Sequence, residues 1–279
     1  MSDSIEQTES FLGEATDDAF RRSWAAWHQA RLRATLSPLG LASLAATHWL
    51  TNKPTSYDGV PGVWSATRDG VRGVADELTG SAVLQDGEPY ATVGGDGVTL
   101  RSGQEIAWGD KRLRYFERDG VLALRLIDPD APTRSAVRDI HAFEPDENWV
   151  FEADFTPADA DHRFRNEAID GHVAEEHPAG TVSFDLNGEA VSLTVTGGPR
   201  GFSAVLADGT SGSETYRFRF LRIDAPDADG RVRVDFNRLY LPPCAFSDFY
   251  VCPLPPAGNR LTTPICAGEK NLDLVEQPA

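Results

Sequence analysis

Alternating side chains joined by tight-turn dipeptides are the feature that most limits how this chain can fold. Residues 111–118 alternate apolar and charged side chains, and residues 121–127 form a second extended run directly after Asp119-Gly120. Two such runs joined by Asp-Gly predict a β-hairpin, because these residues readily adopt the left-handed backbone of a two-residue turn. The chain is therefore expected to build antiparallel sheets.

The same pattern lies on both sides of a link at residues 129–148 that is rich in proline and charge. Several short predicted strands in residues 51–128 indicate a small β-sandwich-like unit. The strands predicted in residues 149–279 indicate a larger antiparallel β-unit, either a barrel or a sandwich. Asn187-Gly188 joins two of these strands as a tight hairpin. We therefore predict a mainly β protein with two β-units.

The phase of the alternation assigns faces within one late strand. Tyr216, Phe218 and Phe220 are predicted to face the core of the larger β-unit, because alternate side chains of a strand point to the same face. The same alternation places Arg217 and Arg219 on the outer face.

A helix is predicted before the strands. Trp24 and Trp27 belong to an aromatic stripe at helical spacing, which predicts a helix over about residues 17–35 within an N-terminal helical segment, residues 16–50. Residues 1–15 are polar and acidic and are expected to be a disordered tail.

The charge of the chain argues against several classes of function. The 279 residues include 26 Lys and Arg against 43 Asp and Glu, a formal charge of −17 that repels phosphate backbones and disfavours nucleic-acid binding. No apolar run approaches the ~20 residues that span a bilayer, so no membrane partner is expected. The acidic N-terminus lacks the pattern of a secretory signal and predicts a cytoplasmic protein with reduced cysteines. The oligomeric state stays open.

Residues 237–270 break both periodicities. Six prolines lie here among aromatic residues and the three cysteines, Cys244, Cys252 and Cys266. Because proline cannot donate a ladder hydrogen bond, a regular strand is excluded over most of this stretch. We expect this irregular C-terminal segment to cover the larger β-unit, since so apolar a loop is rarely left in water.

The C-terminal segment also resembles a known family. The stretches that carry the resemblance are Asp235-Phe236-Asn237, Pro242-Pro243-Cys244-Ala245-Phe246, Cys252-Pro253-Leu254-Pro255-Pro256, Asn259-Arg260-Leu261 and Ala267-Gly268-Glu269-Lys270, with Asp208–Tyr216 and Gly40–Leu50 upstream. They resemble a bacterial and archaeal family catalogued as domain of unknown function 1684, over about residues 20–272. The resemblance implies membership of a group and no activity that could be transferred.

Polar residues in two stretches form the predicted ligand site. Gly212 permits a turn whose hydroxyl groups could donate to an anion, and Arg260 offers a planar fork for a carboxylate or a phosphate. Because the mouths of β-barrels commonly hold ligands, we predict a polar pocket between the Ser211–Tyr216 turn and the Asn237–Lys270 segment. The predicted ligand-binding residues are Ser211, Ser213, Glu214, Tyr216, Asp235, Asn237, Asn259, Arg260 and Lys270. The structural alternative is that these groups satisfy the backbone of the turn and of the segment.

The leading hypothesis is therefore a small-molecule-binding protein with an anionic ligand. One alternative is a hydrolase or transferase with Ser211 or Cys244 as the nucleophile and a carboxylate such as Glu214 assisting. Another alternative is a structural or interaction module, which would have no pocket and would expose an apolar patch.

The sequence predicts no metal and no cofactor. The spacings of His162, His172 and His177 match no standard pair of zinc ligands, and the cysteines lack a Cys-x-x-Cys pair. No glycine-rich phosphate-binding loop follows a predicted strand, so no nucleotide cofactor is expected.

Overall fold

The structure, a computed structural model, describes residues 2–275, with side chains from residue 18 onward. It contains two compact units. Unit 1 consists of Met1–Arg33, Asp139–Ala245 and Val251–Asp273, and unit 2 consists of Ala34–Arg138, Phe246–Tyr250 and Leu274–Ala279. Both units are built mainly from antiparallel strands, which confirms the mainly β prediction.

The N-terminal helix is α1 (Ser2–Thr35), which begins well before the predicted start near residue 17. Acidic residues are favourable in the first turns of a helix because they oppose its dipole, and the early part of α1 is rich in them. The tail predicted at residues 1–15 lies outside the residues whose side chains are described. No described helix has an apolar stretch of the length that crossing a membrane requires.

Unit 2 contains the predicted hairpin. Its strands are β1 (Leu44–Trp49), β2 (Val63–Thr67), β3 (Gly70–Val74), β4 (Ala82–Gln85), β5 (Glu88–Thr92), β6 (Val98–Leu100), β7 (Gln104–Trp108), β8 (Lys111–Arg118) and β9 (Val121–Ile127). They form a sheet in the order β1-β9-β8-β7-β4-β5 and a second sheet in the order β2-β3-β6. Asp119 and Gly120 join β8 to β9 with φ angles of 49° and 79°, the left-handed backbone that the dipeptide predicted. Trp64 and Leu113 are fully buried in the core of this unit.

A short helix, α2 (Pro132–Ala136), lies within the stretch predicted as a link. Proline is well tolerated in the first turn of a helix, where its missing N–H would have no partner. The strand that follows at Val137–Ala142 pairs with a strand near the C-terminus.

Unit 1 is organised around one curved sheet. The remaining strands are β10 (Val137–Ala142), β11 (Val150–Pro157), β12 (Phe164–Glu167), β13 (Val173–Glu176), β14 (Gly180–Leu186), β15 (Glu189–Gly198), β16 (Gly201–Leu206), β17 (Arg219–Ile223), β18 (Arg231–Asp235) and β19 (Glu269–Leu274). The order β17-β16-β15-β14-β11-β18 forms a half barrel whose two outer strands approach each other. We call the gap between β17 and β18 the seam.

The C-terminal segment contributes to the core of unit 1. Leu239, Ile265 and Ala267 are fully buried against inward-facing residues of the half barrel, such as Val182 and Leu193. The segment therefore covers the sheet, as its proline and apolar content predicts. Irregular backbone is acceptable at this place only if its polar groups find partners.

The predicted faces of Arg219 and Phe220 are wrong. Phe220, predicted to face the core, lies opposite the partly exposed Val205 on the other face of the sheet. Arg219, predicted on the outer face, is fully buried. It lies opposite Leu206 on β16, and the next pair on the same face, two residues along, is the buried pair Ala204 and Leu221. Since residues directly opposite each other share a face, the buried Leu206 places Arg219 on the inside.

Candidate functional site

The two predicted stretches of the ligand site contact each other within unit 1. The Tyr216 N–H donates to the Lys270 carbonyl oxygen at 2.8 Å, and the Asn271 side-chain amide donates to the Glu214 carbonyl oxygen at 2.8 Å. The predicted proximity of the turn and the segment is therefore present in the fold.

The hydroxyl groups of the turn bond to the turn itself. Ser211 Oγ accepts a hydrogen bond from the Asp208 N–H at 3.0 Å, and Ser213 Oγ donates to the Thr210 carbonyl oxygen at 2.9 Å. Such bonds stabilise a local turn and occupy the groups that were predicted to bind an anion.

A buried ion pair lies beneath the turn. Arg219 Nη2 is 2.8 Å from Asp208 Oδ2, and both side chains have 0% exposure. The same guanidinium donates to the carbonyl oxygens of Ile265 at 3.0 Å and of Glu269 at 3.1 Å. Burial alone would raise the pKa of the Asp208 carboxyl, but Arg219 and the Thr210 donors hold it below its usual value. The pair therefore ties the turn to the C-terminal segment.

The Asp208 carboxylate is expected to make the free energy of unfolding depend on pH in the acidic range. Because its folded-state pKa is lowered, its contribution to stability is present above about pH 4 and is lost as the pH falls through the folded-state pKa. The free energy of unfolding, measured by urea titration between neutral pH and about pH 3, should therefore fall more steeply in the native chain than in Asp208→Asn. Parallel curves for the two proteins would contradict this assignment.

Two predicted amides bind backbone groups. Asn259 is fully buried; its Oδ1 accepts from the Thr194 N–H at 2.8 Å and its Nδ2 donates to the Val205 carbonyl oxygen at 2.9 Å. Asn237 exchanges two bonds with the backbone of Asp146, each of 2.9 Å. Both amides satisfy the backbone of strands and loops that would otherwise lack partners.

The remaining predicted residues have separate surroundings. Glu214 and Arg260 are exposed. Lys270 Nζ lies 4.3 Å from the centroid of the Phe143 ring, a cation–π contact. The Tyr216 hydroxyl lies 3.7 Å from Cys244 Sγ and 3.3 Å from the Cys244 carbonyl oxygen.

A cleft of about 430 Å³ opens at the seam of unit 1. Its lining residues are Trp27 of α1, Arg222 and Asp224 at the end of β17, Arg233 and Asp235 of β18, and Arg238 and Tyr240 just beyond it. We call it the seam cleft. It contains one predicted ligand residue, Asp235, and two positions of the predicted segment.

Asp235 organises the arginines of the seam cleft. Its Oδ1 accepts two hydrogen bonds from Asn237, at 3.1 and 3.0 Å, which fix the carboxylate. Its Oδ2 lies 3.4 Å from Arg238 Nε and 4.0 Å from Arg233 Nη2. The Arg238 guanidinium also lies 5.6 Å from the centroid of the Trp27 ring. Arg238 is therefore held between a carboxylate and an aromatic face.

The charge of the seam cleft differs from that of the chain. Three arginines face two aspartates, a local excess of positive charge in a protein whose formal charge is −17. Guanidinium groups match the planar geometry of carboxylate and phosphate oxygens and form paired hydrogen bonds with them. The arrangement can therefore bind a small anion beside the half-buried rings of Trp27 and Tyr240.

The sequence prediction missed the arginines of the seam cleft. Arg222 and Arg233 lie on strands at opposite ends of the sheet order, so they become neighbours only when the sheet curls. A signal was present, because Arg222 and Asp224 repeat the spacing of Arg233 and Asp235 on the outer faces of two strands.

The fold and the cleft define a mainly β protein whose half barrel carries an arginine-lined cleft. The family model described as "Protein of unknown function (DUF1684)" matches residues 135–270. The chain belongs to this family, which confirms the resemblance in its C-terminal segment.

One solved relative is described as an uncharacterized protein. It is a protein of Haloarcula marismortui determined by NMR in solution, with 30% sequence identity; the match covers 48% of this chain and 76% of that chain, at a TM-score of 0.40. No curated protein gives a significant match to this chain. The comparisons therefore assign a family and no activity.

Proposed function

We propose that this protein binds a small anionic molecule in the seam cleft. The observation that carries the proposal is the convergence of Arg222, Arg233 and Arg238 on a cleft of about 430 Å³. A cavity of this size matches a ligand of metabolite dimensions. The cytoplasmic location suggested by the sequence stays a prediction.

The walls of the cleft indicate the chemical class of the ligand. Trp27 and Tyr240 offer ring faces, whereas the arginines offer paired donors for oxygens. A flat ring that carries a phosphate or a carboxylate would use both kinds of group. Asp235 would act through Arg238, whose side chain it positions at 3.4 Å.

The proposed ligand site is the seam cleft, which includes Arg238 and Tyr240 at the start of the C-terminal segment, and not the Ser211–Tyr216 turn. The reason is that Ser211 and Ser213 already bond to the turn, whereas Arg222 and Arg233 are exposed at the seam. For the alternative of a hydrolase or transferase, the same bonds favour Cys244 over Ser211 as the nucleophile.

Phenyl phosphate is a suitable probe, because it combines a flat ring with the predicted anion. Arg233→Gln should weaken its binding about tenfold or more, since a hydrogen bond to a charged group contributes about 1.5–3 kcal/mol. Titration calorimetry measures the change. Arg231→Gln is the matched control, because Arg231 is exposed on the same strand but does not line the cleft.

The outcomes separate the proposal from unspecific charge effects. Saturable binding that Arg233→Gln weakens and Arg231→Gln preserves would support the seam cleft. Equal weakening by both variants would indicate a general effect of surface charge and would contradict the proposal. Absence of saturable binding by phenyl phosphate, inorganic phosphate and benzoate would also contradict it.

A further inference from the structure

Two cysteines of the C-terminal segment lie close together away from the seam cleft. The Cys244 N–H donates to Cys252 Sγ at 3.3 Å. Both residues are 5% exposed, and neither forms a disulfide. They are eight residues apart in the sequence, so the residues between them form a loop whose two ends lie close together.

The surroundings of Cys244 favour its thiolate, the reactive form of a cysteine. A hydrogen bond with the Cys252 thiol, aided by the Tyr216 hydroxyl and the positive charge of Arg217, outweighs the effect of burial and lowers the pKa of Cys244 to about 7. The Tyr216 hydroxyl is 3.7 Å from Cys244 Sγ, and burial together with that nearby sulfur raises the pKa of Tyr216 to about 12. Tyr216 therefore stays protonated and available as a donor at neutral pH.

We propose that Cys244 and Cys252 form a reversible dithiol–disulfide site that small hydroperoxides oxidise. The geometry that carries the proposal is the position of Cys252 Sγ, 3.3 Å from the backbone nitrogen of Cys244, together with a phenol that donates to Cys244 Sγ. The site uses none of the residues that line the seam cleft, so it is independent of anion binding.

The reaction has two balanced steps. The Cys244 thiolate attacks the terminal oxygen of the hydroperoxide, the O–O bond breaks, and the leaving alkoxide or hydroxide takes up a proton. The Cys252 sulfur then attacks the resulting sulfenic acid of Cys244, a disulfide forms, and water leaves. In total, two thiols lose two electrons and two protons, and the hydroperoxide is reduced to an alcohol or to water. A dithiol reductant reverses the oxidation by exchange.

The chain of 279 residues provides the test. The reduced protein is treated with hydrogen peroxide, its remaining thiols are alkylated, and its peptides are mapped by mass spectrometry. We expect a disulfide-linked pair of peptides, one with Cys244 and one with Cys252, whose mass is two hydrogen atoms below the summed mass of the two reduced peptides. This linked pair should disappear after treatment with dithiothreitol. Cys266 is exposed and serves as the internal reference for an ordinary thiol.

Three variants test whether Cys244 and Cys252 react as a dithiol site or only happen to lie close together. Cys266→Ser should form the disulfide at the native rate. Cys252→Ala should instead accumulate a sulfenic acid on Cys244, which a dimedone adduct detects. Tyr216→Phe should slow the reaction at pH 7, because loss of the hydroxyl raises the pKa of Cys244 and so reduces its thiolate fraction.

The proposal would be overturned if peroxide that oxidises Cys266 leaves Cys244 and Cys252 as thiols in the folded native chain. It would also be overturned if Cys244 pairs with Cys266 as readily as with Cys252. Peptide mapping of the native chain alone decides between these outcomes, so the test does not depend on whether Cys252→Ala folds.

Discussion

Replacing Asp208 with alanine is expected to lower the free energy of unfolding by about 3–5 kcal/mol, the usual cost of removing one partner from a buried ion pair. Arg219 would remain at 0% exposure without its counterion. Its other bonds, to the carbonyl oxygens of Ile265, Ala267 and Glu269, would not neutralise the charge. The change should appear as a lower midpoint of urea unfolding in unit 1.

An exposed ion pair of the same type serves as the control. Asp18 and Arg22 are 3.8 Å apart on α1, and each side chain is 72% exposed. Arg22→Ala should change the free energy of unfolding by no more than about 0.5 kcal/mol, because solvent screens such pairs. If Asp208→Ala costs no more than Arg22→Ala, the buried pair does not hold the turn and the segment together.

Replacing Glu269 with alanine is the second change with a large expected effect, again about 3–5 kcal/mol. Glu269 has a fully buried side chain that accepts from Arg31 Nε at 2.6 Å and from the Leu241 N–H at 2.7 Å. Removal leaves both donors without this acceptor and releases a contact that holds α1 on unit 1. Limited proteolysis should then cut α1 sooner than in the native chain.

The same substitution links stability to the proposed function. Trp27 lies on α1 one turn before Arg31 and lines the seam cleft, so loosening α1 should also weaken the binding of phenyl phosphate. Glu144→Ala is the control, because Glu144 is 96% exposed and lies 3.9 Å from Arg21 of the same helix. If Glu269→Ala leaves both the unfolding midpoint and the protease sensitivity of α1 unchanged, the buried contact does not anchor the helix.

Local signals made much of the fold predictable. Asp119-Gly120 predicted its turn because the backbone preference resides in the dipeptide itself. The prolines of the C-terminal segment likewise excluded a regular strand, and the apolar content of the segment predicted that it would cover the sheet. In both cases the determining residues are adjacent in the sequence.

The parts that were missed depend on residues far apart in the sequence. The face of Arg219 is set by Leu206 on the neighbouring strand, and a short alternation cannot define it alone. The seam cleft depends on the curvature of the sheet, which brings Arg222 near Arg233. The two predicted stretches do meet, but the sequence left open whether Ser211 and Asn259 would bind a ligand or, as the structure has it, bond to backbone groups.

A crystal structure of the protein with phenyl phosphate tests the central claim most directly. The account predicts a phosphate group within hydrogen-bond distance of at least two of Arg222, Arg233 and Arg238, with the phenyl ring against Trp27 or Tyr240. Phenyl phosphate bound at the Ser211–Tyr216 turn instead, or an empty seam cleft in crystals soaked well above the dissociation constant measured in solution, would contradict it.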